Sequence, residues 1–243
     1  GFSVDTPPGP VTIREASDGW SRYLQLGDQR FFDTGDFGFI SLIDRRGGLI
    51  LVQLAYGGNA CPADYAWLNV VADPPFATEV FGNCSDLPEV SSDSETVTVT
   101  LPATTAADGF TAFIYDGRTI RQETAGQQSA GIAPGNATAW IGRHPGEIFR
   151  AADWRDMLVG LMGEEAYIRA GNTIELASPM ERQGDWVVGS GCIKFTCDED
   201  FGVIALHVSD GRVLVALHSV EGGELWGDAA GAVPEAIRDV LAR

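Results

Sequence analysis

Four cysteines in two tight pairs, Cys61 with Cys84 and Cys192 with Cys197, constrain this chain more than any other feature. Neither pair has the spacing of a zinc site, a CxxC followed by a second CxxC or by histidines. Three pairings of four cysteines exist, but short loops close at lower entropic cost, and the two pairs fall in segments that read as separate domains. Two local disulfides are therefore expected, and oxidised cysteine places the chain in a secreted or periplasmic setting. No charged-then-apolar leader opens the sequence, so Gly1 to Pro10 reads as the start of a processed protein; no run of about 20 apolar residues is present to span a membrane.

At 243 residues and 44% apolar composition the chain can bury a core in each of two domains. From Val11 to about Ile120 it reads as β structure, with apolar runs at Phe37 to Ile43, Leu49 to Tyr56, Tyr65 to Val71, Thr96 to Leu101 and Phe110 to Tyr115. Arg45-Arg46-Gly47-Gly48 and Asp116-Gly117-Arg118 predict hairpin turns, and strict alternation in Thr96 to Leu101 predicts a half-buried strand. Residues 1–121 are expected to form an all-β antiparallel sandwich or barrel. Residues 122–146, rich in Gly, Ala and Gln and without periodicity, read as a linker.

Residues 147–243 read as an α+β domain, an antiparallel sheet flanked by helices. Ile148, Trp154, Met157, Leu158, Leu161 and Met162 form a helical stripe interrupted at Gly163, giving one kinked helix or two short ones. Strand runs follow at Ile174 to Ala177, Trp186 to Val188, Val203 to Val208 and Val213 to His218, the last two joined by Ser209-Asp210-Gly211-Arg212. Pro234-Glu235 opens a last helix.

The charge of −18, from 34 acidic and 16 basic residues, disfavours nucleic acid, which needs a face dense in Lys and Arg, and favours a cationic partner. The alternative is that acidity serves solubility alone. Within this setting Cys192-Ile193-Lys194-Phe195-Thr196-Cys197 holds the only lysine of the chain. Its bridge contributes only about 2 kcal/mol by chain entropy, but a loop already held in shape loses less freedom on binding, as inhibitor loops require. The competing reading is a staple on an edge hairpin, with Lys194 an accident of an Arg-biased composition.

The segments Ala177-Ser178-Pro179-Met180-Glu181, Trp186 through Cys192, Cys197, Val203 to Val208, Gly211 to His218 and Gly223-Glu224-Leu225 are similar in order to the inhibitor of vertebrate lysozyme (Ivy) family. The resemblance covers roughly residues 147 to 243. It implies a periplasmic domain, often a homodimer, whose disulfide loop enters the active-site cleft of a lysozyme. The family loop, Cys-Lys-Pro-His-Asp-Cys, implies a histidine set between the enzyme's two catalytic carboxylates. Here Phe195 stands at the histidine position, while Lys194 and Thr196 replace the proline and aspartate, so a plug made by this chain relies on Lys194 for charge and Phe195 for apolar contact. The first domain resembles β domains of uncharacterised secreted bacterial proteins, which implies no activity.

Other motifs carry less. The segments Gly57-Gly58-Asn59-Ala60-Cys61-Pro62 and Phe81-Gly82-Asn83-Cys84-Ser85 enclose Tyr65, Trp67 and Phe76, whose expected use is core packing, with a carbohydrate-facing surface as the alternative. His144, His207 and His218 are too few and too scattered for a zinc site or a triad, though His207 and His218 fall on neighbouring strands where they could face each other. Asp-Phe-Gly at Asp36 and Asp200 lacks the rest of a kinase, and Asp198-Glu199-Asp200 lacks the ligand spacing of an EF-hand. No catalytic residue, metal site or cofactor is expected. The expected partner is a cationic lysozyme or related muramidase, with a peptidoglycan-type or other glycan as the alternative.

Overall fold

In the computed structural model, which describes residues 3–57, 61–193 and 196–242, the chain divides into two compact units: Gly1–Thr104 with Thr111–Thr124, and Thr105–Phe110 with Ala125–Arg243. The first unit is three antiparallel meanders of four strands. They are β1 (Ser3–Thr6) to β4 (Gln29–Phe31) through β2 (Gly9–Glu15) and β3 (Arg22–Leu26); β5 (Phe39–Arg46), β6 (Leu49–Ala55), β7 (Asp64–Asn69) and β8 (Phe76–Ala77); and β9 (Glu89–Ser92), β10 (Val97–Pro102), β11 (Phe110–Tyr115) and β12 (Ile120–Gly126).

The place of the second meander follows from its composition. In Leu49-Ile50-Leu51-Val52 and Tyr65-Ala66-Trp67-Leu68 successive side chains point to opposite faces and all are apolar, so both faces need cover. Ile50, Val52, Leu54, Ala66 and Leu68 share a core with Val11, Leu24 and Leu26 of the first meander, whereas Leu51, Tyr65 and Trp67 share one with Val97, Val99, Leu101, Phe113 and Tyr115 of the third. A sheet that packs on one neighbour only needs cover on one face. β10 accordingly buries Val97, Val99 and Leu101 and leaves the intervening threonines half-buried. The sandwich-or-barrel expectation thus becomes a stack of open sheets with no closed barrel, because four strands per sheet are too few to close.

The turns have local causes. Gly47 and Gly117 take φ of 58° and 89°, the left-handed region that suits glycine. Asp116 accepts hydrogen bonds from the backbone N–H groups of Thr119 and Arg118, which hold its carboxyl below the usual carboxylate range. A depressed folded pKa stabilises above the ordinary carboxylate pKa, about 4, and that stabilisation is lost as pH falls further. Between about pH 5 and pH 3 the urea midpoint should therefore fall less for Asp116→Asn than for the native chain; parallel losses would remove this assignment.

The second unit opens with α1 (Gly146–Arg150), α2 (Ala152–Met162) and α3 (Glu164–Thr173). Gly163, with φ of 82°, ends α2 by donating its N–H to Val159 O and separates it from α3, so the interrupted stripe becomes separate helices. The sheet follows: β13 (Leu176–Ala177), β14 (Glu181–Gln183), β15 (Trp186–Cys192), β16 (Phe201–His207), β17 (Val213–Ser219) and β18 (Gly222–Trp226), in order β13-β15-β16-β17-β18 with β14 also on β15. The helix α4 (Glu235–Ala242) comes last. Val187, Ile204, Leu206, Val215 and Leu217 pack on the α1–α3 side, while Trp186, Val188, Val203, Ala205, Leu214 and Ala216 pack on Ile237 and Val240 of α4.

Residues 122–146 are not a linker in this structure. Their first residues continue β12, Gln127 donates to Phe149 O, Trp154 Nε1 donates to Ile132 O at 2.6 Å, and Ile132, Ala137 and Trp140 are buried in the helical core. A segment can lack periodicity and still be packed when each apolar residue finds its own pocket.

Candidate functional site

The structure joins Cys61 to Cys84 and Cys192 to Cys197, with Cα atoms 4.6 and 4.9 Å apart. The second bridge closes the connection between β15 and β16. Their antiparallel register runs from Trp186↔His207 to Cys192↔Phe201, and Ile193 N–H extends it by bonding Asp200 O at 3.1 Å. Beyond that pair the backbone turns twice. Thr196 N–H donates to Ile193 O at 3.1 Å, and the N–H groups of Glu199 and Asp200 donate to Thr196 O at 2.9 and 2.7 Å. The base of the loop is thus held by a sheet rung, a disulfide and turn bonds together.

Of the residues expected to meet a partner, Ile193 is exposed and Cys197 is exposed, whereas the Thr196 hydroxyl is buried and has no partner among the described residues. Lys194 and Phe195 lie outside the described residues. Asp198 and Glu199 are exposed directly after Cys197, so the loop leaves on an acidic turn.

Glycine spacing in Gly189-Ser190-Gly191 sets how closely other segments approach this strand. A Cβ on Gly189 would stand 2.6 Å from Pro145 Cβ and 2.8 Å from Met180 Cγ; one on Gly191 would stand 2.9 Å from Ala177 Cβ. The second contact lets β13 pair with the end of β15, Leu176 opposite Cys192. An open depression of about 420 Å³ results, lined by Leu176, Ser178, Ser190, Phe201 and the disulfide. Leu176 is 55% exposed, an apolar surface beside the loop. Sequence reasoning missed Leu176 and Ser190 as members of this surface. The pairing of Leu176 with Cys192 is a tertiary contact, and a strand of two residues leaves no pattern to read.

The histidines do not form a site together. Phe201 is opposite His218 at one end of the β16–β17 ladder and Leu206 opposite Val213 at the other, so His207 and His218 do not face each other. His218 stacks on Phe201 at 5.0 Å, and His207 meets Trp186 at 4.7 Å and Asp210 Oδ1 at 2.6 Å. His144 accepts the Gly146 N–H, and burial together with the nearby Arg150 pushes its pKa down. In the first unit Tyr65 and Trp67 are fully buried in the core, while Phe76 is 39% exposed. Cys61, Asp64 and Cys84 are compact enough for metal ligation, but both sulfurs are spent on the disulfide.

Residues 151–243 match the family described as inhibitor of vertebrate lysozyme (Ivy). No curated protein and no solved structure matches the chain.

Proposed function

Taking residues 151–243 as a domain of the inhibitor of vertebrate lysozyme family, we propose that this chain blocks a lysozyme or related muramidase outside the cytoplasm by inserting its Cys192–Cys197 loop into the enzyme's active-site cleft. The observation that carries the reading is a disulfide-closed hairpin loop inside the segment the family matches. A base held by a cross-strand rung, a bridge and three turn bonds is ordered before docking and adds little to its entropic cost. Exposed Ile193 and Leu176 supply apolar contact at its base.

Lys194 takes the task of meeting a catalytic carboxylate, and Phe195 rests in the sugar-binding groove. A phenylalanine at the family's histidine position has no N–H to donate to a carboxylate, so the charge-assisted contact passes to the lysine. The net charge of −18 speeds encounter with a basic enzyme, an effect that weakens with added salt.

The test is residual lysozyme activity on cell walls in the presence of excess protein. Native protein should suppress it, and Lys194→Ala and Phe195→Ala should each weaken inhibition about tenfold, the size of a moderate interface hot spot. Full enzyme activity at stoichiometric excess eliminates the proposal.

A further inference from the structure

We propose that the first unit carries a glycan-binding cleft in which Tyr56 stacks on a sugar ring while Asp64, Glu79 and Gln122 hydrogen-bond its hydroxyl groups. These residues line one open depression of about 450 Å³, a volume within the range of small-molecule sites, with Phe113 beneath. It belongs to the first unit and the loop on which the inhibitor reading rests to the second, and neither reading depends on the other.

The cleft is built rather than incidental. Asp64 opens β7 with its carboxylate lodged against Gly82, where φ is +151° and a Cβ would stand 2.5 Å from Asp64 Oδ1; no other residue leaves that space. A carboxylate oxygen of Asp64 lies within 4.8 Å of both sulfurs of the Cys61–Cys84 bridge. Burial raises the Asp64 pKa, the mark of a carboxyl withdrawn into a recess instead of left on the surface. Tyr56 is 42% exposed, and its ring is braced by Phe37 at 5.0 Å.

The chemistry selects the ligand class. Among the described residues no lysine or arginine lines the depression, and a chain of charge −18 repels anions, which disfavours phosphates and acidic polysaccharides. Asp64 and Glu79 find no third metal ligand among the described residues of the depression, because the sulfurs beside Asp64 are bridged. Neutral and N-acetylated sugars offer an apolar C–H face for an aromatic ring and paired hydroxyls for planar carboxylate and amide groups, which matches what the cleft presents.

Calorimetric titration of the full chain tests this with two neutral probes, tetra-N-acetylchitotetraose and cellotetraose, and with oligogalacturonate and spermidine as the anionic and cationic arms. Saturable binding of at least one neutral tetrasaccharide is expected. Tyr56→Ala should weaken it at least tenfold and Gln122→Ala at least threefold, each with an unchanged circular dichroism spectrum; Gln122 is exposed on β12, so its truncation leaves the core intact. Absence of neutral-sugar binding, binding of only the charged probes, or native affinity in both variants overturns the proposal. Because no lysozyme enters the titration, its outcome is read separately from inhibition.

Discussion

The Cys192→Ser/Cys197→Ser double variant is expected to inhibit lysozyme about 30-fold more weakly than the native chain. The bridge closes a loop with a sequence separation of 5, and the chain-entropy relation assigns such a loop about 2 kcal/mol. That ordering is complete before docking in the native chain and falls due on docking in the variant, and about 2 kcal/mol corresponds to roughly 30-fold in affinity. The Ile193–Asp200 rung and the turn bonds survive the substitution, so the loss should stop well short of abolition. Inhibition constants measured against one lysozyme, with a urea unfolding curve for each form, separate the effects. Unchanged inhibition alongside lowered stability would show that the bridge is only a staple on the hairpin.

The second large effect concerns the first unit. Trp67→Ala is expected to cost about 4 kcal/mol of unfolding free energy, within the range for emptying a buried aromatic site. Trp67 is fully buried where the second meander meets the third, in contact with apolar residues of both. Its Nε1–H has no acceptor among the described residues, and a buried donor of that kind costs about 1–3 kcal/mol to desolvate. Trp67→Phe removes that donor along with part of the ring, so it should cost far less than alanine, about 1 kcal/mol. Urea denaturation of the three forms decides the matter. An alanine variant within about 1 kcal/mol of native would mean that the second meander is not covered on both faces.

Elements with local causes were legible from the residues alone. The turns at Arg45 to Gly48, Asp116 to Arg118 and Ser209 to Arg212 connect paired strands where expected, because a backbone that needs positive φ or an Asp acceptor announces itself within four residues. Gly163 breaks the helical stripe and Pro234 precedes the last helix for equally local reasons. The half-buried strand at Thr96 to Leu101 rests on side-chain alternation, a property of the extended backbone itself. Illegible were the residues whose role depends on company. Ile132, Ala137 and Trp140 sit in a stretch with no period, and Leu176 reaches the disulfide loop only through a two-residue pairing with β15. Tyr56, Asp64 and Gln122 come from three different stretches of chain, and nothing in any one of them points to the other two.

By itself, then, the amino-acid order determined the longer apolar strands and the broken helical stripe, several of the turns, that the cysteines bridge locally, and that the C-terminal part resembles a lysozyme-inhibitor family. Only the tertiary structure decided that the second meander lies between two others, that Ile132, Ala137 and Trp140 belong to a core, and which side chains border the loop and the cleft. The reason lies in the range of the forces. Dihedral preference and alternation act over a few residues, whereas burial rewards any apolar surface that meets another and leaves the choice of partner to the packing of the whole.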